Sequence, residues 1–453
     1  MTQAGKAGPD GDWPDPLLDS VRNLPAHAGL YVALSGGLDS VLLLHTAAIA
    51  CRGFRPPTAI HINHQLQSNA SDTEALCQHL CQSLDVPLKT IAVEVAAHLP
   101  QEDAGTGGLE EAARDARYRA FESCLCEGDL LLMAHHADDQ TETVLFRLLR
   151  GTGVAGLGGM PRSRALGKGL VYRPFLDFSR QDLEQWARVH DVKWIEDPSN
   201  QDQRFDRNFL RRAIIPALKQ RWPSLNRRVA ATVSACRESD ELAASLARIH
   251  FTQCEDKDGG LDLGMLARLT LAEQKNLLRW WVANHQYSPP NPADWQGLLS
   301  DFLASGNDRQ PEYRGDGYRL RRFQNSLRLV ARQPSSGLDS VALMAGQPMK
   351  WGGWLLELRA VNGTDKPAPE LRIFTRHGGE RIRPRADGPS KPLKNWLQEQ
   401  TVPAWERGSL PLVMESSGGA EALVAVGDLW VSERYCGEAP ASGWRLILER
   451  DSN

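Results

Sequence analysis

An apolar run, Leu30-Tyr31-Val32-Ala33-Leu34, leads directly into Ser35-Gly36-Gly37-Leu38-Asp39-Ser40 and then into Val41-Leu42-Leu43-Leu44-His45. The first run, partly β-branched and aromatic, reads as a short buried strand. Residues 41–51 read as a helix stopped at Gly53. Between them, adjacent glycines let the backbone take positive φ and turn successive N–H groups toward one point. That point also faces a helix N-terminus, whose free N–H groups and dipole favour an anion. Ser35 and Ser40 add hydroxyl donors, so the stretch is a phosphate cradle. It is not a Walker A loop, because no Lys follows the glycines. A carboxylate at Asp39 would repel a pyrophosphate unless a cation lay between them. Asp39 therefore reads as a Mg²⁺-linked or backbone-capping acid.

Strand-like and helix-like runs alternate through the first half of the chain. Residues 58–62, 88–93 and 130–133 read as further strands, with helices at 71–84, 109–126 and 138–150. Such alternation predicts right-handed βαβ units and a parallel sheet covered on both faces. Open parallel sheets bind ligands beyond the carboxyl ends of their strands. Ser35–Ser40 follows the first strand, His61 and His64 close the second, and His135, His136, Asp138 and Asp139 follow the fourth. These clusters should converge on one crevice. Asp138, Asp139 and Glu142 share one side of the first helical turns, either offsetting the helix dipole or serving a catalytic metal. The four histidines sit without thiolates among acids, which favours nucleotide contact or packing over zinc. Gly151-Thr152-Gly153-Val154-Ala155-Gly156 matches a dinucleotide fingerprint but follows a helix, and reads as a helix C-cap and turn.

A capped helix is predicted over 179–190, followed by Glu196-Asp197-Pro198-Ser199-Asn200 and a basic helix with Arg207, Asn208, Arg211, Arg212 and Lys219. Trp222-Pro223 marks the first domain boundary. The expected layout is a catalytic α/β domain over 1–222 and a mostly helical domain over 223–332. A linker follows over 333–346, then a small α+β domain over 347–453. Gly337-Leu338-Asp339-Ser340 repeats part of the phosphate loop without the paired glycines or a feeding strand, and reads as linker.

Net charge is only −4 across 453 residues, so a nucleic-acid surface must be local. Basic stretches at 204–228, 309–328 and 372–394 are the candidates. None of the eight cysteines forms a Cys-x-x-Cys pair, which argues against zinc ribbons and iron–sulfur clusters. No apolar run approaches the roughly 18 residues of a membrane span. A cytoplasmic protein with no membrane partner is expected.

The loop resembles the signature of the PP-loop ATP pyrophosphatases. Further motifs narrow the likeness to the tRNA(Ile)-lysidine synthase family over nearly the whole chain. They are His61-Ile62-Asn63-His64; Glu110-Glu111-Ala112-Ala113-Arg114 with Arg117-Tyr118; and residues 134–143 continuing to Arg150-Gly151-Thr152-Gly153. Residues 196–200, Arg207-Asn208-Phe209-Leu210-Arg211, and Lys394-Asn395-Trp396-Leu397 with Val402-Pro403-Ala404-Trp405 complete the set. After His64 the chain reads Gln65-Leu66-Gln67, where the family pattern would place an Arg.

This resemblance implies a ligase. It would activate O2 of the wobble cytidine of a CAU-anticodon isoleucine tRNA with ATP, releasing pyrophosphate, after which the amine of free L-lysine would attack ring carbon 2 and expel AMP. It further implies that Ser35, Gly36, Gly37, Leu38, Asp39, Ser40, His61 and His136 bind ATP. Asp39 and Asp139, with Glu142, would organise Mg²⁺ or the lysine ammonium. Arg114, counted with the catalytic residues, and Arg207 would neutralise phosphate or hold the anticodon loop. Arg207, Arg211, Arg381, Arg383, Arg385 and Lys394 would bind tRNA. A homodimer is compatible with the resemblance.

Overall fold

The computed structural model describes residues 13–63, 70–93, 106–196, 206–304, 311–332, 339–361, 363–385, 387–417 and 420–451. The chain divides into two compact units, residues 1–246 and 247–453.

The first unit holds strands β1 (Leu30–Ala33), β2 (Thr58–Asn63), β3 (Leu88–Ala92), β4 (Leu130–Leu132), β5 (Ser163–Leu166) and β6 (Gly169–Tyr172) in one sheet of order β3-β2-β1-β4-β6-β5. All neighbours pair in parallel except β5, which pairs antiparallel with β6. Helices α1 (Asp15–Arg22), α2 (Leu38–Ala50), α3 (Ala70–Ser83), α4 (Thr106–Cys124), α5 (Ala137–Leu149), α6 (Val154–Leu157) and α7 (Arg180–Val189) connect or flank these strands.

Strand periodicity sorts the side chains onto two cores. Leu30, Val32, Leu130 and Leu132 pack with Leu17, Leu42, Leu44, Leu80 and Leu183 on one face. Leu131 and Met133 pack with Ile60, Phe121 and Val171 on the other. Both faces are therefore covered, as near-continuous apolar strands require. The order reverses between β1 and β4, and that switch point is where a ligand crevice opens in such sheets.

Two features depart from the sequence reading. The β5–β6 hairpin has no counterpart in the sequence reading, because its strands are short and interrupted by Arg164 and Gly167-Lys168-Gly169. The basic helix expected after residue 204 is instead three pieces. These are α8 (Asp206–Phe209), a π-helical turn (Leu210–Ile214) and α9 (Ile215–Arg221), with Pro216 in the first turn of α9. Proline lacks the N–H that would continue the ladder, and a wider turn absorbs the mismatch. At the end of α5, Gly151 takes φ +75. Its N–H and that of Thr152 bond back to Leu148 and Arg147, a helix C-cap as expected.

Helix α10 (Leu225–Cys254) runs continuously past the division between the units. Its first turns carry Asn226 and Arg237, whose side chains bond Asp138 and the carbonyls of Gly158 and Met160. This is why the first unit extends beyond Trp222-Pro223.

In the second unit, helices Leu263–Leu266, Leu271–Asn284 and Trp295–Ala304 pack with a four-stranded antiparallel sheet that includes Tyr318–Phe323 and Ser326–Ala331. Trp281, Phe302 and Tyr318 are buried at their centre. Farther along, five- and three-stranded antiparallel sheets enclose Trp351, Trp354, Trp396 and Tyr435 with helix Leu393–Glu399. Val341–Leu343, inside the stretch read as linker, is a strand paired with Glu370–Phe374. No helix among the described residues is long and apolar enough to cross a membrane.

Candidate active site

The Ser35–Ser40 loop leaves β1 at the switch point. Gly36 takes φ +81, a conformation L side chains rarely adopt, and a Cβ there would lie 2.7 Å from Thr73 Cγ2. Ser40 Oγ donates to the Gly37 carbonyl (3.0 Å), accepts from the Ser35 N–H (3.1 Å) and lies 3.0 Å from Ser35 Oγ. The Gly36 carbonyl accepts from the Ile195 N–H at 3.0 Å. Gly37 is the N-cap of α2 and no side chain caps that end. Its N–H groups therefore remain for an anion. His61 lies beneath the loop, 4% exposed, with Nδ1 2.9 Å from the Leu34 carbonyl and Cys77 Sγ 3.7 Å from the same nitrogen. It fastens β2 to the loop's entry.

The second half of the site begins α5. His136 is its N-cap: Nδ1 accepts from the Asp139 N–H, while Asp139 Oδ2 accepts from the His136 N–H at 3.0 Å. This reciprocal cap turns the imidazole inward, where it is 2% exposed. His136 Nε2 then stands 3.7 Å from Asp39 Oδ2 and 3.4 Å from Asp139 Oδ2. The two motifs, a hundred residues apart in sequence, are thus joined through one ring.

Arg211, expected on the tRNA face, projects from the π-helical turn into these acids. Its Nε donates to Glu142 Oε1 (2.5 Å), and Nη2 donates to Glu142 Oε2 (2.9 Å) and Asp139 Oδ1 (3.0 Å). Asp138 turns away from Asp139 and accepts from Lys219, from the Arg180 N–H (3.0 Å) and from Asn226 Nδ2 (2.9 Å).

The carboxylates therefore differ electrostatically. Burial raises the Asp39 pKa against the opposing pull of His136. Burial also tends to raise Asp139, but His136, its backbone N–H and Arg211 outweigh it and hold the carboxyl below its usual range. Glu142 is raised by burial, with Arg211 pulling the other way. Arg211 is held firmly charged: its own burial is outweighed by Glu142 and Asp139.

Asp39 Oδ1 is buried with no hydrogen-bond partner among the described residues. A lone buried carboxylate oxygen beside a phosphate loop suits a hard cation. No group of three or more His, Cys, Asp or Glu side chains arranged to hold a metal ion by itself occurs among the described residues. This fits Mg²⁺, which takes one or two carboxylates plus substrate phosphates, better than an all-protein cage. Both Asp139 oxygens are already engaged, by Arg211 and by the His136 N–H.

Arg114 lies on α4 with its Cζ 5.1 Å from the Tyr118 ring centroid, beside His135 rather than among the acids. Arg207 Cζ sits 5.4 Å from the Phe146 ring. In the second unit Arg381, Arg383, Arg385 and Lys394 are exposed. Glu380 is occupied by Arg376 and by the N–H groups of His377 and Gly378, so it does not neutralise them. His64 and residues 197–200 lie outside the described residues, as do the side chains of Glu110 and Glu111. Nothing in the local pattern marks Lys219 and Asn226 as partners of Asp138, since both lie more than 80 positions away along the chain.

Residues 16–218 match the PP-loop domain family, 261–328 the TilS substrate binding domain and 371–448 the TilS substrate C-terminal domain. A tRNA(Ile)-lysidine synthase of Pseudomonas aeruginosa is 40% identical over 452 residues, covering 96% of this chain and 97% of that protein. Relatives of the same name from Pseudomonas fluorescens and Coxiella burnetii are 38% and 32% identical, covering 97% and 96% of this chain and the same shares of themselves. Identity at this level along essentially the full length, with the loop and acids assembled, places the chain in the tRNA(Ile)-lysidine synthase family.

Proposed function

We propose that this chain joins free L-lysine to carbon 2 of the wobble cytidine in an isoleucine tRNA with a CAU anticodon, at the expense of ATP. In the first step cytidine O2 attacks the α-phosphorus of ATP and pyrophosphate leaves. In the second the lysine amine attacks carbon 2, loses a proton and expels AMP, giving lysidine. The observation that carries this reading is the His136 ring, which ties the Ser35–Ser40 loop to the Asp139 end of α5 at a sheet switch point.

The loop N–H groups, the α2 N-terminus and the Ser35 and Ser40 hydroxyls take the phosphates of ATP. Asp39, with its unpartnered oxygen, holds Mg²⁺. When bound, that ion offsets phosphate charge as the nucleobase oxygen approaches. His136 orients Asp39 and Asp139. Asp139, kept ionised by His136 and Arg211, faces the lysine ammonium. Arg114 and Arg207 lie toward the tRNA, and Arg381, Arg383, Arg385 and Lys394 grip it from the second unit. One protomer carries the loop, the acids and Arg211, so this chemistry does not call for a dimer.

Incubation with labelled lysine, ATP, Mg²⁺ and CAU-anticodon isoleucine tRNA should transfer label to the tRNA, and initiator methionine tRNA should stay unlabelled. Asp39→Asn should lower the rate by at least about a hundredfold, the scale of losing one charge-stabilising group. No label with the wild-type chain would defeat the proposal.

A further inference from the structure

A second cluster of charge lies beside the acids. The ring of Tyr118 on α4 has Arg164 Cζ 4.5 Å and Arg114 Cζ 5.1 Å from its centroid. Its hydroxyl points to Met133 Sδ at 3.7 Å. Arg173, 3% exposed, donates from Nε to His135 Nδ1 (3.3 Å) and from Nη1 to the Pro161 carbonyl (2.6 Å). These bonds fix its guanidinium without cancelling its charge. Burial pushes His135 down to about 3, with Arg173, Arg117 and Arg114 adding to the effect against Asp139, so this ring stays neutral.

Among the described residues, Arg114, Arg164 and Arg173 have no carboxylate partner. Burial and the nearby charges of Arg164 and Arg114 work against protonated Arg173, with Tyr118 pulling the other way. Three guanidiniums gathered around one tyrosine repel each other unless an anion joins them. They come from different elements: Arg114 from α4, Arg164 from β5, where it pairs with Val171, and Arg173 from the residue after β6. Separate elements converging on one aromatic ring make a built site rather than a solvated face.

We propose that Arg114, Arg164, Arg173 and Tyr118 form an anion site that takes a backbone phosphodiester of the tRNA beside the nucleotide being modified. The inference rests on the tRNA reading above and adds Arg164, Arg173 and Tyr118 to it. Guanidinium forks match phosphate oxygens, and the Tyr118 O–H adds a donor on turning from the weak acceptor Met133 Sδ. Contacts of this kind set the register of a nucleic acid without reading its sequence. The ATP phosphates are the other source of such an anion. They belong to the loop after β1, and β5 stands three strands from β1 in the sheet. At the usual strand spacing that is about 14 Å, so the hairpin faces a different part of the substrate complex.

Arg164 is exposed on the hairpin, and its replacement leaves both cores intact. Lysine incorporation is first measured with the wild-type chain; failure there would defeat the tRNA reading itself. With activity established, Arg164→Ala should raise the KM for tRNA about five- to tenfold while kcat and the KM for ATP stay within about twofold. The slope of log KM for tRNA against log salt should fall by about 0.7–0.9, the value of one lost phosphate contact. Arg164→Lys should recover part of the loss, and Tyr118→Phe, which keeps the ring, should raise the tRNA KM by a smaller factor. An unchanged tRNA KM and salt slope in Arg164→Ala would overturn the proposal. So would a change confined to the KM for ATP or to inhibition by pyrophosphate, which would assign the anion to the nucleotide.

Discussion

Arg211 decides whether the acids of α5 can exist where they are. It supplies three hydrogen bonds to Glu142 and Asp139, and the Glu142 side chain is only 8% exposed. Removing a partner from a buried ion pair leaves an uncompensated charge, typically about 3–5 kcal/mol when burial is complete. A third of the Arg211 side chain meets solvent. Arg211→Met should therefore cost about 2–3 kcal/mol in urea denaturation, and Glu142→Gln in the same chain should return part of it. A loss no larger in the single than in the double variant would show that the pair is not coupled. Gly36 is a second residue with little latitude. Gly36→Ala meets both the φ of +81 and the Thr73 methyl at 2.7 Å. About 1–3 kcal/mol of strain is expected, read as a higher KM for ATP with the tRNA KM unchanged.

Between elements, α1, α2 and α7 meet around stacked aromatic rings. The Trp13 ring, just before α1, lies 4.2 Å from His190 and 6.0 Å from His45. His45 Nε2, His190 Nδ1 and Trp13 Nε1 are buried without hydrogen-bond partners among the described residues. Burial and the charge of His190 push the His45 pKa from 6.5 down to about 4, and burial lowers His190 as well. Between those pH values the unfolded chain binds more protons than the folded one. Stability is thus fully present above pH 6.5 and declines as pH falls toward 4. The His45 contribution should be about 2–3 kcal/mol. Chemical denaturation at pH 7 and pH 5 checks it, and His45→Phe should flatten the dependence.

Elements of this kind were visible in the sequence where one face or one cap decided them. The parallel strands, α2, α5 and the Ser179-capped α7 follow from apolar periodicity and capping residues. The β5–β6 hairpin and the π-helical turn did not, because each is settled by pairing or by a local backbone slip at Pro216. The phosphate loop and the His135-to-Asp139 run were likewise visible as motifs, but the reciprocal His136–Asp139 cap was not, since histidine is not among the usual capping residues. Arg211 among the acids was not, since one turn of helix decides whether a basic residue faces solvent or the site.

At the scale of the whole molecule, charge is distributed rather than summed. A net −4 conceals exposed Arg383, Arg385 and Lys394 in the second unit. Replacing all three by Ala should weaken tRNA binding roughly tenfold or more at moderate salt and lower the log–log salt slope by about 2–3. ATP binding, measured separately, should not change. Finally, consider where the partners of the α5 acids come from. Asp138 depends on Lys219 and Asn226, and Asp139 and Glu142 on Arg211. While the chain is being synthesised, the stretch bearing these carboxylates leaves the ribosome some seventy to ninety residues ahead of the groups that stabilise them. A nascent chain can lay down its central strands early, yet its nucleotide-handling end cannot settle until about half of the polypeptide is made.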